Sequence, residues 1–138
     1  MPLEKITVET TVSAPPERAF AAFTTPDAIT QWNFATDDWC CPSASVDLRE
    51  GGRYAARMEA KDGSFGFDFA ASYTEVDENR AVTLAMDDGR SARTTFTPEG
   101  TGTRVATTFD AETENGIEMQ RDGWQAILNN FGRYVDGA

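Results

Sequence analysis

Histidine is missing altogether from these 138 residues. The side chain whose ordinary pKa lies nearest neutrality is therefore absent, and with it the commonest general base and metal ligand. Acid–base chemistry near pH 7 would have to rest on a carboxylate or thiol retuned by its surroundings. Cysteine is scarce too. Cys40 and Cys41 are the only pair, and as chain neighbours they cannot staple distant elements. With no histidine, no CxxC pair and no third cysteine, no metal site is expected, and no cofactor. Basic residues number 12 against 23 acidic ones, for a net charge of −11. That balance argues against nucleic acid and against an anionic membrane surface, both of which need clustered Lys and Arg. No stretch approaches the roughly 18 consecutive apolar residues of a membrane span, so membrane insertion is not expected. The opening MPLEKITVETTV carries neither the apolar core nor the cleavage site of a secretory leader. A reducing, cytoplasmic home is the simplest expectation.

What is present is patterned. Apolar residues make up 40% of the chain and charged ones 25%, the balance of a globular protein, and one domain over 1–138 suits the length. EKITVETTV alternates with period two, as a half-buried strand does. SAPPERAFAAFT then shifts to helical spacing, with Ser13 as a candidate cap, and TPDAITQW predicts a second short helix ending near Trp32, with Thr25 as its cap. From SASVDL to TRVATTFD the chain reads as strands joined by tight turns, among them Asp62-Gly63 and Asp88-Gly89. Ile117, Trp124, Leu128, Phe131 and Val135 then recur at helical intervals, with Asn115 or Glu114 as the cap. Strands linked by short turns pair antiparallel, and one apolar helix laid across them gives an α+β class.

That order, with TVSAPPERAFAAFTTPDAITQW, VDLREGGRY and GWQAILNNF, resembles the START-like (SRPBCC) superfamily. Within it the chain is most similar to the branch of the heat-shock-protein-90 ATPase activator homologue domain. The resemblance covers nearly the whole chain. It implies a helix-grip fold: a curved antiparallel sheet of about six or seven strands around a long C-terminal helix, with two short helices after the first strand. It also implies a tunnel between sheet and helix that takes a hydrophobic or amphipathic small molecule, such as a lipid or polyketide. Gly51 and Gly52 match the family's bend before the third strand, Trp32 its tryptophan at the end of the second helix, and Gly123 with Trp124 its Gly-Trp pair. Relatives often carry histidine where this chain has Cys40.

The densest candidate segment is QWNFATDDWCCP, Gln31–Pro42, read as a loop over one mouth of the tunnel. Trp32, Phe34 and Trp39 are first of all packing residues of such a lid, and secondly ligand contacts. Asp37 and Asp38 read as solvated loop acids; turned inward, Asp38 would touch a ligand and either would gain a raised pKa. Cys40 and Cys41 read as inert thiols, with Cys40 a candidate contact. The wall candidates are Met58, the period-two row Phe65, Phe67 and Phe69, Met86 and Phe109 from the strands. Met119, Gly123, Trp124 and Ile127 come from the long helix. Core packing explains most of these equally well. The remaining polar candidates, Arg57, Glu59, Asp68 and Arg93, mostly alternate away from the apolar rows and so onto the outer face.

Three functional readings follow. The first is a module that binds an apolar or amphipathic molecule, with no catalysis required. The second is a cyclase, dehydratase or hydrolase using Asp37, Asp38 or Cys40 in the same cavity. The third is a chaperone-activator-like interaction module. The sequence leaves homodimerisation open.

Overall fold

The computed structural model describes residues 4–137. Residues 1–3 and 138, which the single-domain expectation also spans, lie outside the described residues. Among the described residues seven strands form one antiparallel sheet. β1 is Lys5–Val12, followed by α1, Pro16–Thr24, and α2, Pro26–Trp32. β2 is Trp39–Val46, β3 Arg53–Ala60, β4 Gly66–Asp77, β5 Ala81–Met86, β6 Ser91–Glu99 and β7 Gly102–Asp110. The strands lie side by side in the order β1-β7-β6-β5-β4-β3-β2. The chain closes with α3, Ile117–Gly137, whose 21 residues extend about 31 Å. This is the expected helix-grip arrangement: a curled sheet, two short helices after the first strand and a long terminal helix.

Proline chemistry sets the two short helices. Each begins with a proline in its first turn, where the missing N–H costs nothing. Thr25, the residue before Pro26, is held extended (φ −99°, ψ 127°), which ends α1. The expected side-chain caps did not form. Pro15 occupies the cap of α1 in place of Ser13, and Thr25 caps α2 without a side-chain hydrogen bond. At α3 the buried Gln120 secures the preceding loop instead, accepting from the Glu112 N–H at 2.8 Å and donating to the carbonyl of Asn115 at 2.8 Å.

β2 corrects the reading of Gln31–Pro42 as a loop. Trp39, Cys40, Cys41 and Pro42 belong to this edge strand, and the connecting loop is only residues 33–38. Pro42 is tolerated because the pairing with β3 slips between Cys40 and Ser43, a bulge on an edge strand that needs no donor there. A second slip lies between Tyr73 and Glu75, where β4 pairs β5. At the Gly51-Gly52 bend, Gly51 takes φ +86°, and a Cβ on Gly52 would lie 2.0 Å from the Asp47 carbonyl oxygen. The bend is tied to β4 by the Gly51 N–H to the Tyr73 carbonyl, 2.8 Å, and by the Tyr73 N–H to the Gly52 carbonyl, 2.9 Å. Bulges and glycine bends of this kind raise local twist and curl a sheet.

Burial alternates along β1, β3, β6 and β7, and α3 lies against the sheet beside β1. Gly132 permits that approach, since a Cβ there would stand 3.2 Å from Thr10 Oγ1. Aromatic rings fill one end of the interior. Phe23 stacks on Trp32 with centroids 5.2 Å apart, and Phe131 meets both edge-on at 5.3 and 5.1 Å. Phe96 joins them by edge contacts to Phe20 and Phe23. The outer face carries the ions: Arg53 with Asp87, Arg57 with Glu59 and Asp68, and Arg93 with Glu75. Alternation had assigned Arg57, Glu59 and Asp68 to that face.

Candidate functional site

Packing does not close the other end of the interior. A cavity of about 280 Å³ remains between the concave face and α3. Its walls come from all three helices and from every strand except β2: Val8, Thr107, Thr94, Ala92, Val82, Leu84, Tyr73, Phe69, Phe67, Met58 and Tyr54 from the sheet, and Phe23, Trp32, Trp124, Ile127 and Leu128 from the helices. Asn33, just past α2, and Arg90, just before β6, complete it. The chain spacing explains the set. Phe67, Phe69 and Tyr73 share one face of β4, Val82 and Leu84 one face of β5, Ala92 and Thr94 one face of β6. On α3, Trp124, Ile127 and Leu128 are three and four apart and share one side of the helix.

Of the residues singled out beforehand, Trp32, Met58, Phe67, Phe69, Trp124 and Ile127 line this cavity. The others do not. Phe65 precedes β4 and is 62% exposed, so the phenylalanine row runs out past the sheet's end, with Phe67 half out at 43%. Phe65 flanks Trp39 on the β2 side, with centroids 5.9 Å apart, and Phe67, which also reaches the wall, meets the same indole at 6.1 Å. Met119 is 66% exposed at the start of α3. Met86 is buried but lies off the wall, and Phe109 is covered by Trp124, stacked on it at 4.0 Å. Gly123 presents no side chain, and Phe34 offers its backbone carbonyl to Asn130. Asp37 and Asp38 are exposed, and Cys40 sits on the edge strand. The enzymatic reading loses its residues here, because none of Asp37, Asp38 and Cys40 reaches the cavity.

Its polar groups are few and were not foreseen as a set. The hydroxyls of Thr94 and Thr107, paired across β6 and β7, lie 2.7 Å apart. One hydroxyl proton serves that bond, which leaves one donor to spare. Asn33 Nδ2 donates to the Tyr54 hydroxyl over a long 3.5 Å. Tyr73, 2% exposed, makes no side-chain hydrogen bond to another described residue. Burial pushes both phenols well above their ordinary range, so both stay neutral donors. Cys41 lies nearby but off the wall; burial raises its thiol pKa, and its Sγ donates to the Ser43 carbonyl at 3.4 Å. The one sequence signal that could have found Thr94 and Tyr73 is the strand alternation itself, continued through polar positions.

Comparison with known proteins fits this architecture. The family described as Activator of Hsp90 ATPase homolog 1-like protein matches residues 13–136. The solution structure of an AHSA1-like protein from Aeromonas hydrophila is 43% identical, with a TM-score of 0.91 over 97% of this chain and 93% of its own. The solution structure of Chr148 from Cytophaga hutchinsonii is 41% identical, with a TM-score of 0.83 over 96% and 92%. Protein CV1439 from Chromobacterium violaceum shares the fold at 24% identity, with a TM-score of 0.86 over 96% and 98%. No curated protein matches the chain.

Proposed function

We propose, from the premise that this chain belongs to the Activator of Hsp90 ATPase homolog 1-like family of the START-like superfamily, that it binds one compact apolar or amphipathic molecule inside the sheet–helix cavity. One observation carries the reading: an interior hollow of about 280 Å³, walled largely by aromatic and aliphatic side chains, in a chain that packs its other end tightly. A guest of matching size gains dispersion contacts with such walls and removes their apolar surface from water.

Its volume narrows the occupant. It is about twice the roughly 150 Å³ cavity that accommodates benzene, and just under the usual range of roughly 300–1,000 Å³ for small-molecule sites. A bicyclic ring system or a short-chain amphiphile matches this volume; a sterol exceeds it. The aromatic side chains of Trp32, Phe69 and Trp124 in the wall favour a flat guest over a flexible chain.

Thermal-shift titration tests this, with 2-naphthol and indole at up to about 1 mM and cholesterol as the oversized control. The bicyclic probes raise the melting temperature and cholesterol does not. Ala92→Phe, which places a ring in the hollow, removes the response while the variant stays folded by circular dichroism. No stabilisation by either bicyclic probe, or an unchanged response in a folded Ala92→Phe, contradicts the proposal.

A further inference from the structure

Among the described residues, Arg90 is the one charged residue on the cavity wall. Its position follows from the hairpin before β6. The Asp88 carboxylate accepts from the Arg90 backbone N–H at 3.0 Å and from its Nε at 2.8 Å, while the Arg90 carbonyl accepts from the Met86 N–H at 2.7 Å. Arg90 therefore continues the inward alternation of Ala92 and Thr94 one step beyond the strand. Asp88 occupies only the Nε edge. The four Nη hydrogens make no hydrogen bond to another described residue, though the side chain is only 21% exposed. A guanidinium stays charged in any protein setting, and its flat fork matches a carboxylate in two-point contact.

Tyr73 supplies the opposite pole. It pairs with Leu84, and Leu84 pairs with Ala92, so Tyr73 and Arg90 lie two strands and two residues apart on one concave face. Strand spacing and rise put about 12 Å between their Cα atoms. Between the two poles the wall is apolar.

Resting on the reading that the cavity binds a compact molecule, we propose that this molecule is an acid. Its ring-sized apolar body would lie against Trp124 and Phe69, its carboxylate would pair with the Nη edge of Arg90, and an oxygen at its far end would meet the Tyr73 hydroxyl. The net charge of −11 opposes an anion at long range. Physiological salt screens charges beyond about 8 Å, however, and a contact pair at a wall of low dielectric outweighs that diffuse repulsion. Asp88 is itself 55% exposed and largely solvated, so it neutralises the guanidinium only in part.

The test is a matched pair of probes, 2-naphthoate and its neutral amide 2-naphthamide, titrated calorimetrically against the full chain. At the efficiency usual for drug-sized ligands, a probe of about 13 non-hydrogen atoms binds near 1 mM or better, which sets the working concentration. The expected result is at least about tenfold tighter binding of the acid. Arg90→Gln, shown folded by its melting curve, brings the acid and amide to equal affinity, and Arg90→Lys restores part of the preference. Equal or tighter binding of the amide to the unaltered chain overturns the acid assignment while leaving the cavity reading intact. A preference that persists in Arg90→Gln does the same. If neither probe, nor unsubstituted naphthalene, binds at all, the cavity reading fails and the acid assignment with it.

Discussion

Phe131 is fully buried and meets the rings of both Phe23 and Trp32 edge-on, so one side chain locks α3 to the two short helices. Phe131→Ala should cost about 3–5 kcal/mol, read as a loss of denaturation midpoint at unchanged slope. Trp32 is fixed further by its indole N–H, which donates to the Ala22 carbonyl at 3.0 Å, and its side chain also lines the cavity. Strand alternation read in sequence sorted many of these side chains: it sent Arg57, Glu59 and Asp68 outward and kept Met58 and Phe69 inside. It failed where a strand's influence runs past its hydrogen-bonded end. Phe65 obeys the period but lies before β4 begins, so its ring faces solvent. Arg90 follows the Asp88-Gly89 turn and precedes β6, yet the period carries it onto the wall. Ionic groups near hairpins declare their direction only once the turn geometry is known.

Among the elements, the terminal helix was the most legible and β2 the least. A row of apolar residues at three and four spacing survives interruption by Gly123 and Gly132, because helical periodicity sums over many turns. The two glycines differ in consequence. A Cβ on Gly123 meets nothing within 4 Å, whereas one on Gly132 presses on Thr10 of β1. Gly123→Ala should therefore stabilise the chain by about 0.8–1 kcal/mol through helix propensity alone. Gly132→Leu should destabilise it, since a branched side chain drives α3 off the sheet; paired urea curves separate the two. The first half of β2 hid, although SASVDL read as a strand, because Cys-Cys-Pro looks like loop chemistry and only a bulge on an edge strand accommodates it. That placement separates the thiols: Cys41 is buried with its pKa raised by burial, while Cys40 is partly exposed. A disulfide exchange reagent should titrate one thiol per native chain, at Cys40, and two after unfolding.

For the whole molecule, the ionisable groups set the pH range of stability. Arg53 holds Asp87 below its usual range, and Arg93 with Thr83 does the same for Glu75. Their stabilisation is present above the unfolded values near 4 and is lost as pH falls through the lowered folded ones; it is small, because the pairs are solvated. The alkaline side is different in kind. Tyr54 and Tyr73 are raised by burial, so above about pH 10 the unfolded chain loses phenolic protons that the folded chain keeps. Melting temperature should fall steeply there, and Tyr73→Phe should flatten that fall. Among the described residues no helix is long and apolar enough to cross a membrane. The fold and its family were legible from the order of elements, but the cavity's volume and polar poles were not, because both depend on how far the sheet curls.

The three tryptophans offer the most direct measurement of whether the hollow is a binding site. Trp32 and Trp124 line it, whereas Trp39 packs beside Phe65 outside. Titration of ¹⁵N-labelled protein with 2-naphthol, followed through the three indole N–H signals, should move those of Trp32 and Trp124 saturably and in concert, and leave Trp39 least affected. Shifts confined to Trp39, or no saturable shift at any indole, would contradict the account.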